Sequence, residues 1–171
     1  DKAGNVLKEK TGLDHVANGV TPSDSRCIIR QCSYYADERL KSEEVTNGRK
    51  TLYEYDADGN VSKQEEYYSA TGKVTKEYIN NYRGQPLRVT EYLRSQDLQS
   101  IANEVHALTT QNSYDKNGNL RISIDPMNVA TTNTYDVQNR LLSTSTPGED
   151  EFGRSAKFTR WYTYTYDGQI A

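Results

Sequence analysis

Apolar side chains in this chain seldom cluster. They alternate with polar ones in short stretches that end at runs rich in Gly, Asn and Asp. The clearest stretch is Thr51 to Ser62, Thr-Leu-Tyr-Glu-Tyr-Asp-Ala-Asp-Gly-Asn-Val-Ser. Side chains of an extended chain point to opposite faces in turn, so Tyr53 and Tyr55 share one face and Leu52 and Glu54 the other. Asp56 suits the first position of a type I turn, where its carboxylate accepts a backbone N–H two residues on. Gly59 suits the position where the chain leaves with positive φ and a bulge. Asn60 and Val61 then open a return strand, so the stretch predicts a β-hairpin.

The same order of residues recurs. Tyr114 and Asp115 precede Gly118, Asn119 and Leu120; Tyr135 and Asp136 precede Asn139, Arg140 and Leu141; Tyr166, Asp167 and Gly168 come last. Worn copies are Tyr35 with Asp37 and Leu40, Tyr68 before Gly72 and Val74, and Tyr82 before Gly84, Pro86 and Leu87. Asp1, Gly4, Asn5 and Val6 form the second half of a unit, so the sequence reads as a piece of a longer protein. Cys27 to Tyr35 is rich in β-formers and predicts a strand, Gly12 to Ser25 a loop, and Asn47-Gly48 a two-residue hairpin turn.

Spacing adds to the picture. Tyr35 to Tyr55 is 20 residues and Tyr114 to Tyr135 is 21, which suits two strands and two turns. Tyr82 to Tyr114 is 32 residues and Tyr135 to Tyr166 is 31, so each interval holds something extra. In the first, Leu98, Ile101, Ala102 and Val105 follow Ser95 at helical spacing and predict a short helical insertion over 95–108. In the second, the polar run from Ser143 with Pro147 and Gly148 predicts an extended loop over 143–155. Arg160 to Tyr166 predicts a terminal strand with Tyr162, Tyr164 and Tyr166 on one face.

Composition decides how these hairpins assemble. Only 34% of the residues are apolar, against about 45–50% in an ordinary globular chain. Fourteen Tyr accompany two Phe and one Trp, so the main large side chain keeps a hydroxyl that needs a partner. About a dozen strands at roughly 4.8 Å spacing make a sheet near 60 Å wide, whereas a compact globule of this length has a radius of gyration of about 15–16 Å. So little aliphatic content cannot fill a dry sandwich. The expected fold is all-β: consecutive antiparallel hairpins over 1–171 forming a curved, largely single-layer sheet.

Charge and motifs narrow the chemistry. The net charge is −3 and the basic residues are scattered, which gives no reason to expect nucleic acid as a partner. No run of about 18 apolar residues exists, so no membrane-spanning helix is expected. Asp56, Asp58 and Asn60 alternate like the start of a calcium loop, as do Asp115, Asn117 and Asn119. Yet Gly comes at the fourth position instead of the sixth, and Tyr67 and Pro126 stand where Glu should close the loop. A turn-forming role is therefore expected. Cys27 and Cys32, with only His15 and His106 to assist, make no zinc signature and read as free or loop-bridged thiols. No nucleophile and base arrangement stands out, so neither an enzyme nor a cofactor or metal site is expected.

The Tyr-Asp-x-x-Gly-Asn/Arg-aliphatic units at about 20-residue spacing resemble the YD or RHS (rearrangement hot spot) repeats of bacterial polymorphic toxins, insecticidal toxin-complex proteins and teneurins. The resemblance is strongest at Tyr55, Tyr114 and Tyr135 and weakest before Leu40. It implies a wall segment of a β-shell that encloses a toxic effector polypeptide in a secreted or cell-surface bacterial protein. The implied partners are the neighbouring repeats of that shell and the enclosed effector. Asp125 and Pro126 match half of the Asp-Pro-x-Gly signature that marks the self-cleaving end of such shells, but Met127 and Asn128 follow, so no cleavage is expected. The alternative is a Tyr-rich module binding carbohydrate or a cell-surface partner, with Tyr162, Tyr164 and Tyr166 as its open aromatic row. Tyr faces stacked between hairpins would favour the shell, and Tyr faces open in grooves the binding module.

Overall fold

The computed structural model describes residues 4–12, 27–46, 48–69, 72–94 and 105–170. Its strands are β1 (Lys8–Gly12), β2 (Cys27–Tyr34), β3 (Leu40–Val45), β4 (Lys50–Tyr55), β5 (Val61–Tyr67), β6 (Lys73–Asn80), β7 (Pro86–Arg94), β8 (Val105–Tyr114), β9 (Leu120–Ile124), β10 (Ala130–Tyr135), β11 (Leu141–Glu149) and β12 (Ser155–Trp161). They form one open, antiparallel, twelve-stranded sheet whose strand order follows chain order.

The chain divides into two compact units, Asp1–Tyr78 with Glu91–Ala107, and Ile79–Thr90 with Leu108–Ala171. In the first, Ile29 and Cys32 are the only buried apolar side chains among the described residues. Polar ladders replace a core. Glu65 accepts from Lys73 Nζ at 2.7 Å and Tyr67 Oη at 3.0 Å, and lies 3.3 Å from Lys63 Nζ. The hydrogen bond from Lys73 is the main reason its carboxyl is pulled down to about 2. Arg30 Nη2 meets Glu43 at 2.7 Å on the neighbouring strand.

In the second unit the ladders are hydroxyls. Thr134 and Ser143 are 2.7 Å apart, Ser145 and Thr159 2.8 Å, and Thr131 and Thr146 3.2 Å. Ser143 and Ser145 are buried in consequence. Each such pair ties adjacent strands side by side, as cross-strand partners do in any antiparallel sheet.

Three sequence expectations change here. The end of the expected 95–108 helix, residues 105–108, is the start of β8; Leu98, Ile101 and Ala102 lie outside the described residues. The β-branched run after Leu108 and pairing to β9, with Gln111 opposite Ile124, extend β8 against the local helical spacing. The expected 143–155 loop is mostly β11 and β12, because the Ser and Thr run makes the hydroxyl ladder and Pro147 sits opposite Lys157 within the pairing. Gly148 is roofed by Phe158, whose Cε2 lies 2.7 Å from where a Cβ would be. A cross-strand aromatic thus fills the missing side chain. Finally, Arg160 to Tyr166 is not one strand. β12 ends at Trp161, Tyr164 bridges Ile170, and Tyr166 stands fully exposed in a turn.

Candidate functional site

The feature that repeats is a turn. In ten places among the described residues the amide of residue i donates to the carbonyl of residue i+4, from Tyr35/Arg39, Val45/Arg49 and Asp56/Asn60 through Asp150/Arg154 and Thr165/Gln169. In nine of them the amide of i+3 also donates back to the carbonyl of i. This is a three-residue loop: a type I turn followed by a left-handed residue that forms a bulge. Residue i+3 has positive φ wherever that second bond is seen, at Glu38, Gly48, Gly59, Gly84, Gly118, Asn128, Asn139, Gly153 and Gly168. Gly48 is therefore the bulge residue of a loop closed by Val45 and Arg49, not part of a two-residue hairpin turn; Asn47 lies outside the described residues.

An Asp at i explains the rest of the motif. Asp115 Oδ1 accepts the amides of Asn117 and Asn119, both at 2.9 Å. Asp136 Oδ1 does the same for Gln138 at 2.8 Å and Arg140 at 2.9 Å, and Asp150 for Phe152 at 2.9 Å and Arg154 at 3.0 Å. The second oxygen takes the side chain of i+4: Asn119 Nδ2 at 3.0 Å, Arg140 Nε at 2.6 Å, Arg154 Nε at 2.8 Å. That is why Asn or Arg follows the bulge residue. Side-chain donation from Asn119 and Arg154, and chiefly backbone donation from Arg140, hold Asp115, Asp150 and Asp136 below the usual carboxyl range. Asp56 closes its loop on Asn60, N to Oδ1 at 2.8 Å. These carboxylates are occupied by their own loops, which is turn chemistry and not the geometry of an EF-hand.

The residue before i supplies the link between hairpins. Tyr34 Oη donates to the carbonyl of Val6 at 2.9 Å, Tyr55 to Leu40 at 2.8 Å, Tyr114 to Pro86 at 3.1 Å, Tyr135 to Leu120 at 2.9 Å and Tyr164 to Leu141 at 2.8 Å. Leu40, Pro86, Leu120 and Leu141 are each the residue just after the preceding turn of that edge. Where an Arg ends that turn, it also covers the ring: Arg39 lies 4.7 Å from the Tyr55 centroid and Arg140 4.7 Å from that of Tyr164. Asn112 and Asn133, two residues before Tyr114 and Tyr135, donate to the same carbonyls at 3.0 Å.

Tyr55, Asp56, Gly59 and Asn60, Tyr114, Asp115, Gly118 and Asn119, and Tyr135, Asp136 and Arg140 thus sit where the sequence motif puts them. The last unit is offset by two residues. Its clasp is Tyr164 and its first turn residue Thr165, so Tyr166 and Asp167 are loop positions and Gly168 is the bulge. In the first worn copy the clasp is Tyr34 and Tyr35 takes the Asp place; Tyr82 is likewise a loop residue, 82% exposed. Three features escape a search for Tyr-Asp: the turns at Asp125 and Asp150, preceded by Ile124 and Glu149, and the paired Asn112 and Asn133. The signal for the turns was present as Asp-x-x-Asn and Asp-x-x-Gly-Arg. Asp125-Pro126-Met127-Asn128 is one of these turns, its Oδ1 accepting Met127 N at 2.9 Å and Val129 N at 2.8 Å.

Other chemistry is sparse among the described residues. No three His, Cys, Asp or Glu side chains converge. Cys32 is a buried free thiol, and the side chain of Cys27 lies outside the description. An open depression of about 400 Å³ over Thr51 is bordered by Tyr53, Glu66 and Glu43, the last already paired with Arg30.

The fold and its turns make the described chain an array of consecutive β-hairpin repeats. No family model and no curated protein matches it. Solved structures similar to it include the crystal structure of TcdB2-TccC3, at 17% identity and TM-score 0.47 over 99% of this chain and 11% of that one. TcdB2-TccC3-Cdc42 follows at 14%, TM-score 0.45, over 95% and 10%. The Tc holotoxin pore of Photorhabdus luminescens is similar at 14%, TM-score 0.44, over 95% and 10%. The chain spans about a tenth of the length of the chains it matches.

Proposed function

We propose that this chain is a wall segment of a repeat shell whose work is containment, enclosing a toxic effector polypeptide within a secreted or cell-surface bacterial toxin. The observation that carries the reading is the clasp. All five described clasp tyrosines spend their hydroxyls on the backbone of the preceding segments instead of lining a groove. The carbohydrate alternative rested on Tyr162, Tyr164 and Tyr166 sharing a strand face, and Tyr166 is in a turn. A sheet with two wet faces and strand-to-strand staples suits a barrier. Neighbouring repeats and the enclosed polypeptide are its partners.

Limited proteolysis of the full-length natural protein tests this. The effector region should resist protease in the wild type and become cleavable when Tyr114 and Tyr135 are both changed to Phe. Equal cleavage of that region in both proteins overturns the reading.

A further inference from the structure

The turn 115–119 contains an Asn followed by Gly, and both groups that could react there are held. Asn117 Nδ2 donates to Asn139 Oδ1 at 3.0 Å, and Gly118 N donates to the carbonyl of Asp115 at 3.0 Å. Asn119 Nδ2 reaches the same Asn139 oxygen at 2.9 Å, so two amides fix one acceptor in the next turn. Asn117 is exposed to water. We propose that Asn117 is a deamidation site whose reactivity is gated by Asn139, and that the modification uncouples the two turns irreversibly.

The reaction needs only water. The backbone nitrogen of Gly118 loses its proton and attacks Cγ of Asn117; the N–Cγ bond forms, the Cγ–Nδ2 bond breaks, and ammonia leaves. Water then opens the five-membered imide at either carbonyl to give aspartate or isoaspartate at 117. Gly118 has no Cβ to obstruct the approach. In the folded turn, however, the attacking nitrogen's N–H is committed to Asp115 and the leaving amide to Asn139. Closing the imide also needs a main-chain rotation that the turn hydrogen bonds oppose.

The product changes the sign of the contact. A carboxylate at 117 places an acceptor against Asn139 Oδ1, itself an acceptor, where a donor stood before. Isoaspartate also lengthens the main chain inside a three-residue loop closed by Gly118 N and Asp115 O. The step is therefore one-way loosening, independent of what the wall encloses.

Peptide-mapping mass spectrometry on the whole chain, incubated at mildly alkaline pH, tests the gate. The folded wild type should deamidate at Asn117 far more slowly than the same chain in urea. Asn139→Ala should accelerate it roughly fivefold, the factor expected for one hydrogen bond of ordinary strength. Tyr135→Phe, which loosens the same hairpin without touching the Asn117 contact, serves as control. Equal rates in wild type and Asn139→Ala overturn the proposal, as does equal acceleration in Asn139→Ala and Tyr135→Phe.

Discussion

Turns 115–119 and 35–39 share their main-chain hydrogen bonds and almost none of their side-chain chemistry. In the first, Asp115 accepts two loop amides and Asn119's side chain, and Gly118 has φ of 93°. In the second, Tyr35 occupies the Asp place and Glu38 carries φ of 68°. Tyr35 instead sends its hydroxyl to the Tyr53 carbonyl at 2.9 Å and meets the Tyr55 ring edge-on, centroids 6.1 Å apart. Arg39 pairs with Asp37 within the loop and covers Tyr55. The hairpin thus fixes the backbone, and side chains only reinforce it. One turn draws that support from its own loop, the other largely from the next hairpin.

Acid should separate the two with the largest effect. Asp115, Asp136 and Asp150 have folded pKa values below the usual 3.8, and Glu65 is held at about 2 against 4.5. A lowered pKa contributes stability that is present above the unfolded value and lost as pH falls through the folded one. Between about pH 4 and pH 2 the array should therefore lose stability, and the amides of Asn117, Asn119, Gln138 and Arg140 should lose hydrogen-exchange protection first. In turn 35–39 the Glu38 amide should lag, because it donates to the Tyr35 carbonyl, whereas the Arg39 amide donates to Asp37 Oδ1 at 3.3 Å and should follow the carboxylate-held amides. Loss of protection at Glu38 together with Asn117 and Asn119 would erase the distinction.

Glycine comes next. Gly118→Ala places a Cβ 3.2 Å from Arg83 Nη1 at φ of 93°, whereas Gly59→Ala at φ of 86° meets nothing nearer than Arg39 at 3.7 Å. Both should destabilise, by about 1 kcal/mol for the open site and about 1–3 kcal/mol for the crowded one. Thermal unfolding midpoints decide it: a larger drop for Gly59→Ala would mean that crowding is not what separates the two sites.

How much of this was legible follows from what each position must do. The units at Tyr55, Tyr114 and Tyr135 could be read directly, because a clasp Tyr, a loop-closing Asp and a side-chain donor at i+4 leave little choice of residue. The frame was lost where two plausible residues compete. Tyr34 and Tyr35 are adjacent, and Tyr164 and Tyr166 differ only by the intervening Thr165, whose hydroxyl accepts the Gln169 amide at 3.1 Å as Asp would. Loop positions i+1 and i+2 tolerate almost anything, so Tyr166-Asp167 could imitate a motif start. Asp125 and Asp150 escaped because turns between hairpins carry no clasp. The β11 strand was hidden by Pro147 and Gly148, whose defects are repaired by cross-strand neighbours that no local pattern reveals.

The mildest test runs against the usual direction of mutation. An L-residue in the left-handed region costs about 1–2 kcal/mol, and Glu38, at φ of 68°, holds the place that Gly fills in six of the nine such turns among the described residues. Glu38→Gly relieves that strain, while the extra freedom of Gly in the unfolded chain takes back roughly 0.5–1 kcal/mol. The net gain should be about 0.5–1 kcal/mol, a rise of a few degrees in the unfolding midpoint. Glu38→Asn should give part of it, since Asn128 and Asn139 occupy the same position at φ of 64° and 63°. If both variants melt no higher than the wild type, the support from Tyr35 and Arg39 depends on the residue at 38. The two kinds of turn would then differ in backbone demand as well as in side chains.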